Sequence, residues 1–100
     1  MSNVTEKIET PSMDILIKLF GPFDENMQEI KRKLNVDVLN IRGELHFSGD
    51  QHSVSLAKQV VDKIIDFIKK EDAVDIGRVT YLCECALEGK LDEVDRKSVV

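Results

Sequence analysis

Ile15, Ile17 and Leu19 alternate within Asp14–Phe20, and this period of two predicts a strand, which Gly21-Pro22 ends. Met27, Ile30 and Leu34 then fall at helical spacing and predict a helix over about 25–34. Asp24 stands as its N-cap, and Lys31-Arg32-Lys33 sit at its negative end. Val36–Ile41 and Leu45–Ser48 flank Arg42-Gly43-Glu44 and predict a hairpin. The strongest stripe runs through Val54, Ala57, Val60, Val61, Ile64, Phe67 and Ile68, a helix over about 51–70. A last helix carries Ile76, Val79, Leu82, Cys83, Ala86 and Leu87, with Asp75 as cap and Gly89 as stop. The order is β-α-β-β-α-α, an α+β fold in which helices pack on a three-stranded sheet. Residues 1–13 are polar and read as a flexible leader, and 14–89 read as the domain. Residues 90–100 end on apolar Val99-Val100 without closing an element, as in a piece of a longer protein.

Length and charge narrow the reading. One hundred residues make one domain. No apolar run reaches the ~20 residues of a membrane span, and the polar N-terminus is not a secretory signal. Two cysteines give no disulfide framework, so the cytoplasm is the expected compartment. The net charge of −5 argues against non-specific DNA binding. That charge is uneven: −3 over residues 1–50, +2 over 51–70 and −4 over 71–100. A weak basic face on an acidic body is one reading, and solvated helix faces are the other.

Catalytic chemistry is not apparent. The glycines at 21, 43, 49, 77 and 89 make neither a P-loop nor a dinucleotide fingerprint. Cys83 and Cys85 point about 200° apart around a helix and lack the spacing that zinc requires. One is expected buried and one near the surface. His46, opposite Leu45 and Phe47, and His52, beside Asp50, have no nucleophile nearby in sequence. No catalytic residue, metal site or cofactor is expected in this chain.

The stretch from Leu19 to Val60 reads Leu-Phe-Gly-Pro-Phe-Asp-Glu-Asn, a helix with Lys-Arg-Lys, two strands ending in Ser48-Gly49, and a long helix. This resembles the KH pattern of single-stranded nucleic-acid binders. There a strand or helix leads to a Gly-x-x-Gly loop, followed by a helix, two strands and a long helix. With Leu19-Phe20-Gly21-Pro22, Asp24-Glu25-Asn26 and Ala86–Lys90, the chain looks more closely like the N-terminal KH-like domain of PhoH-like ATPases. The resemblance covers about residues 14–95. It implies a non-catalytic accessory domain with a three-stranded KH-like sheet, whose parent is a P-loop ATPase linked to RNA metabolism. Residues 90–100 would lead toward that ATPase domain, and ATP and magnesium would belong there alone.

In a KH loop the glycines let the backbone approach the sugar-phosphate chain, and basic side chains flank it. Here Gly21 matches the first glycine, Pro22 and Phe23 the middle, and Asp24 the second. Pro22 removes an N–H donor, and Asp24 places a carboxylate where a phosphate would lie unless it turns away to cap its helix. Phe23 either stacks on a base or packs on the first helix. The RNA-binding candidates are Lys18, Gly21, Pro22, Phe23, Asn26, Lys31, Arg32, Lys33 and Arg42. A second reading gives the domain an apolar contact surface, met by its own ATPase domain, a neighbouring subunit or the chain's own C-terminal helix. Leu16, Phe20, Leu39 and Ile41 fall opposite the predicted core residues and would form its apolar patch. Neither a membrane nor DNA is an expected partner.

Overall fold

A computed structural model of the chain describes residues 3–91. Its order is β-α-α-β-β-α-α: β1 Asn3–Glu9, α1 Met13–Phe20, α2 Glu25–Leu34, β2 Asp37–Ile41, β3 Glu44–Asp50, α3 Gln51–Glu71 and α4 Ile76–Leu87. The fold is α+β, with one antiparallel sheet in the order β1-β3-β2. The expected strand at 14–20 is a helix, and the expected leader contains a strand.

Both corrections have local physical causes. Asp14–Phe20 is too short and too apolar for periodicity to decide, because Leu16, Leu19 and Phe20 keep helical spacing as well as Ile15, Ile17 and Leu19 keep alternation. Ser12 decides it, since its hydroxyl accepts the Ile15 N–H at 3.2 Å and caps the helix. The buried set is therefore Leu16 and Leu19, while Ile17 is exposed. Leu16 and Phe20, expected on an open patch, instead face the core. In β1 only Val4 and Ile8 are apolar, and Glu6 lies between them on the same face, opposite Phe47. The strand exists because β3 supplies partners from Glu44 to Asp50. Glu6 meets Lys58 of α3 at 3.0 Å.

One face of the sheet buries Leu45 and Phe47 beneath α3, whose Val54, Ala57, Val60, Val61 and Ile64 are buried. Helix α4 packs on α2 and α3, and α1 packs on α3 and α2. The hairpin turn lies at Arg42-Gly43, both with positive φ, as a two-residue type I′ connection demands. Asp50 and Asp75 cap α3 and α4 through their carboxylates. Asp24 does not cap α2: its backbone is left-handed and its side chain accepts no capping hydrogen bond. The expected stretch toward a further domain lies, from residue 92 on, outside the described residues.

Candidate functional site

The sequence singles out Gly21–Asp24, which form the connection between α1 and α2. The Gly21 N–H donates to the Ile17 carbonyl at 3.0 Å and closes α1. Its φ of 75° and ψ of 179° form a combination that is essentially glycine-only. A Cβ there would also lie 2.7 Å from Asn26 Nδ2, so the backbone rests directly on that amide. Pro22 begins a single tight turn, and the Asp24 N–H donates to the Gly21 carbonyl at 3.2 Å. Phe23 and Asp24 then take left-handed conformations in succession, with φ of 55° and 60°. Each such residue costs about 1–2 kcal/mol relative to right-handed backbone.

Phe23 does not pack on the first helix; it is 100% exposed. Burying a phenylalanine is worth about 1.5–3 kcal/mol, which this side chain forgoes. Asp24 is exposed beside it, and its side chain makes no hydrogen bond or ion pair among the described residues.

Asn26, expected to touch RNA, is 1% exposed. Its Nδ2 donates to the Lys18 carbonyl at 3.4 Å, and its Oδ1 has no partner among the described residues. It is the post on which the loop rests and is closed to a ligand. Lys18 is engaged by Asp72 at 2.5 Å and Asp14 at 3.1 Å, tying α1 to the end of α3. Those two hydrogen bonds hold its pKa above the usual lysine value.

The basic run of α2 divides. Arg32 bonds Glu29 at 2.5 Å, and the other oxygen of Glu29 accepts from Thr80 of α4 at 2.9 Å. Arg32 first, and then Thr80, hold the Glu29 carboxyl below its ordinary range against the opposing effect of burial. Lys33 reaches Glu84 of α4 at 3.1 Å. Lys31 makes no ion pair among the described residues. It shares a shallow concavity of about 770 Å³ with Phe23, Gln28, Arg32, Asn35 and Ile76. Glu25, Glu29 and Asp37 line the same space, so acids outnumber bases.

Arg42 occupies the β2–β3 turn, which Thr10 holds through its N–H and hydroxyl on the Gly43 carbonyl. It lies beside Ser12 and Met13, at the start of α1. The loop lies at the other end of that helix, about 12 Å along its axis. The structure thus brings Phe23, Lys31 and Arg32 together around the loop, and sets Lys18, Lys33 and Arg42 apart. Of the apolar candidates, Leu39 and Ile41 are exposed, side by side with His46 and Glu44 on the sheet face that α3 does not cover.

Two features escaped sequence reasoning. Met13 and Ile17 are exposed one turn apart on α1, invisible while that segment read as a strand. Arg78 lies 4.9 Å from the Phe67 ring and 5.8 Å from Tyr81 at the α3–α4 corner. The i, i+3 spacing of Arg78 and Tyr81 was the only signal for it. Cys83 is buried, and burial first of all pushes its thiol up to about 12, so it is protonated at neutral pH. His46 pairs with Glu44 at 3.3 Å. No group of three metal-ligating side chains occurs among the described residues, and no described helix is long and apolar enough to cross a membrane.

No protein-family model and no curated protein matches the chain. A solved structure does: a protein of unknown function from Aeropyrum pernix, with a TM-score of 0.67 at 13% identity. The match covers 96% of this chain and 50% of that one, so this chain spans half the length of its structural neighbour. At that identity the likeness shows the fold alone.

Proposed function

We propose that this domain binds single-stranded RNA at the Gly21–Asp24 loop, with Phe23 as a stacking platform for a base. The observation that carries the reading is Phe23, fully exposed yet held in left-handed backbone by Gly21, Pro22 and buried Asn26. Backbone strain of this kind clusters where it serves a ligand, and aromatic rings stack on bases with little regard to sequence. The order of elements supports it too. A helix leads to the loop, and a helix, two strands and a long helix follow, the arrangement in which a KH clamp sits. Asp24 and the acid-lined concavity weigh against a strong phosphate grip, so the binding is weak and dominated by stacking. The wider setting, resting on the sequence resemblance, is a non-catalytic, cytoplasmic accessory domain of a PhoH-like ATPase that holds ATP and magnesium elsewhere.

An NMR titration of the chain with a short single-stranded RNA, at low and near-physiological salt, tests this. Shifts centred on Gly21–Asp24 and Lys31 are expected; a spectrum unchanged at both salts would remove the RNA reading.

A second reading, a protein-interaction or oligomerisation surface, is favoured by Leu39 and Ile41, exposed together on edge strand β2. Leu39→Glu would then abolish self-association or partner binding while leaving the fold intact. Association that survives the change, seen by sedimentation, would exclude this surface.

A further inference from the structure

We infer that the loop reads guanine: Phe23 stacks on the base while the Asp24 carboxylate accepts hydrogen bonds from its Watson–Crick edge. The inference rests on the RNA-binding reading above and goes further, to which base is chosen. Consecutive Cα atoms lie about 3.8 Å apart, so the carboxylate nearest in sequence to the Phe23 ring stands on the same exposed turn. That next side chain is an exposed carboxylate that neither caps α2 nor bonds another described residue. An ionised carboxylate only accepts hydrogen bonds, and its two oxygens suit two parallel donors.

The bases differ in what they offer it. Guanine presents two adjacent donors, N1–H and the N2 amino group. Cytosine and adenine each present one amino group beside an acceptor nitrogen that a carboxylate repels. Uracil presents one N–H between two carbonyl oxygens. A purine also covers more of the ring than a pyrimidine does.

The charges around the loop point the same way. A phosphate clamp needs cations free to meet it, but Lys18, Arg32 and Lys33 are engaged by Asp72 and Asp14, Glu29 and Glu84. Lys31 alone in the basic run has no ion-pair partner among the described residues. Asp24 itself repels a phosphate, whereas it attracts N–H donors. What would weaken a backbone grip therefore becomes the means of selecting a base.

The test is fluorescence anisotropy on the whole chain with labelled uridine pentamers, carrying guanosine, adenosine, cytidine or uridine at the centre. Guanosine is expected to bind about tenfold more tightly than uridine, the discrimination usual for a two-point base contact. Asp24→Asn should bring the ratio close to one without weakening the all-uridine pentamer. Because the Asp24 side chain bonds nothing in the fold, this variant should melt with the wild type. Equal binding of all four pentamers, or a guanosine preference that survives Asp24→Asn, overturns the inference and leaves RNA binding standing. Failure to bind any pentamer removes the RNA-binding reading and the inference together.

Discussion

Two connections in this domain run through consecutive residues of positive φ, and they differ in what they get for it. At Arg42-Gly43 the left-handed backbone matches the twist of β2 and β3. The turn is also bonded on both sides. The Asn40 side chain accepts from the Gly43 N–H at 3.1 Å, and Thr10 donates twice to the Gly43 carbonyl. At Phe23-Asp24 the same backbone gains no side-chain hydrogen bond, buries no apolar surface and leaves a phenyl ring in water. The first strain belongs to folding. The second gains only the backbone bonds of Asp24 N–H to Gly21 and Glu25 N–H to Pro22, which is why the site is proposed there.

The largest expected effect is at Gly21, where the loop is welded to its base. Gly21→Val should destabilise by about 2–4 kcal/mol, from a forbidden backbone together with a clash on Asn26. Urea unfolding reads it, and a loss below about 1 kcal/mol would mean the loop can relax without Asn26. At the other connection, Thr10→Val removes the hydroxyl from the Gly43 carbonyl and should cost about 1 kcal/mol in the same assay.

Glu29 offers a pH test of the ties that hold α2. Its folded pKa lies below the ordinary carboxylate value. Its stabilising contribution is therefore full above the unfolded value and is lost as pH falls through the folded one. Glu29→Gln should cost about 1 kcal/mol at neutral pH, less than a fully buried pair because Arg32 is largely exposed. The difference from wild type should shrink as the pH of the melt falls through the acid range. A constant difference down that range would mean that the charge does not contribute.

The smallest stability effect is expected at Phe23 itself. Phe23→Gly relieves a left-handed phenylalanine and gives up no packing, while it loosens the unfolded chain. The two nearly cancel, leaving the unfolding free energy, read in the same urea assay, within about 0.5 kcal/mol of wild type.

Much of this architecture is legible from one sequence. Helices α2, α3 and α4 and the hairpin follow their apolar spacing, and α3 and α4 their caps, to within a residue or two. Helix α1 is not legible, because seven largely apolar residues satisfy two periods and only a serine outside the run breaks the tie. Strand β1 is not, because two apolar residues four apart become a strand only against β3, about forty residues away.

The site divides in the same way. Gly21 and Phe23 stand out in sequence because a Gly-Pro-Phe turn is local. The engagement of Lys33 does not, since its tie runs to Glu84 of α4, 51 positions away, whereas Arg32 pairs with Glu29 only three residues back. Asn26 reads as a loop contact because burial is a property of the whole fold. Asp24 misleads for the opposite reason: a favoured N-cap residue sits at the cap position in a backbone that prevents the capping bond.

The central claim is that Phe23 is held exposed for a ligand. The most direct measurement is the affinity of the Phe23→Gly variant for a single-stranded RNA containing one guanosine, by anisotropy against the wild type. Base stacking of about 1–3 kcal/mol predicts binding at least five- to tenfold weaker, in a protein that melts as the wild type does. RNA binding undiminished by the loss of the ring would contradict the account.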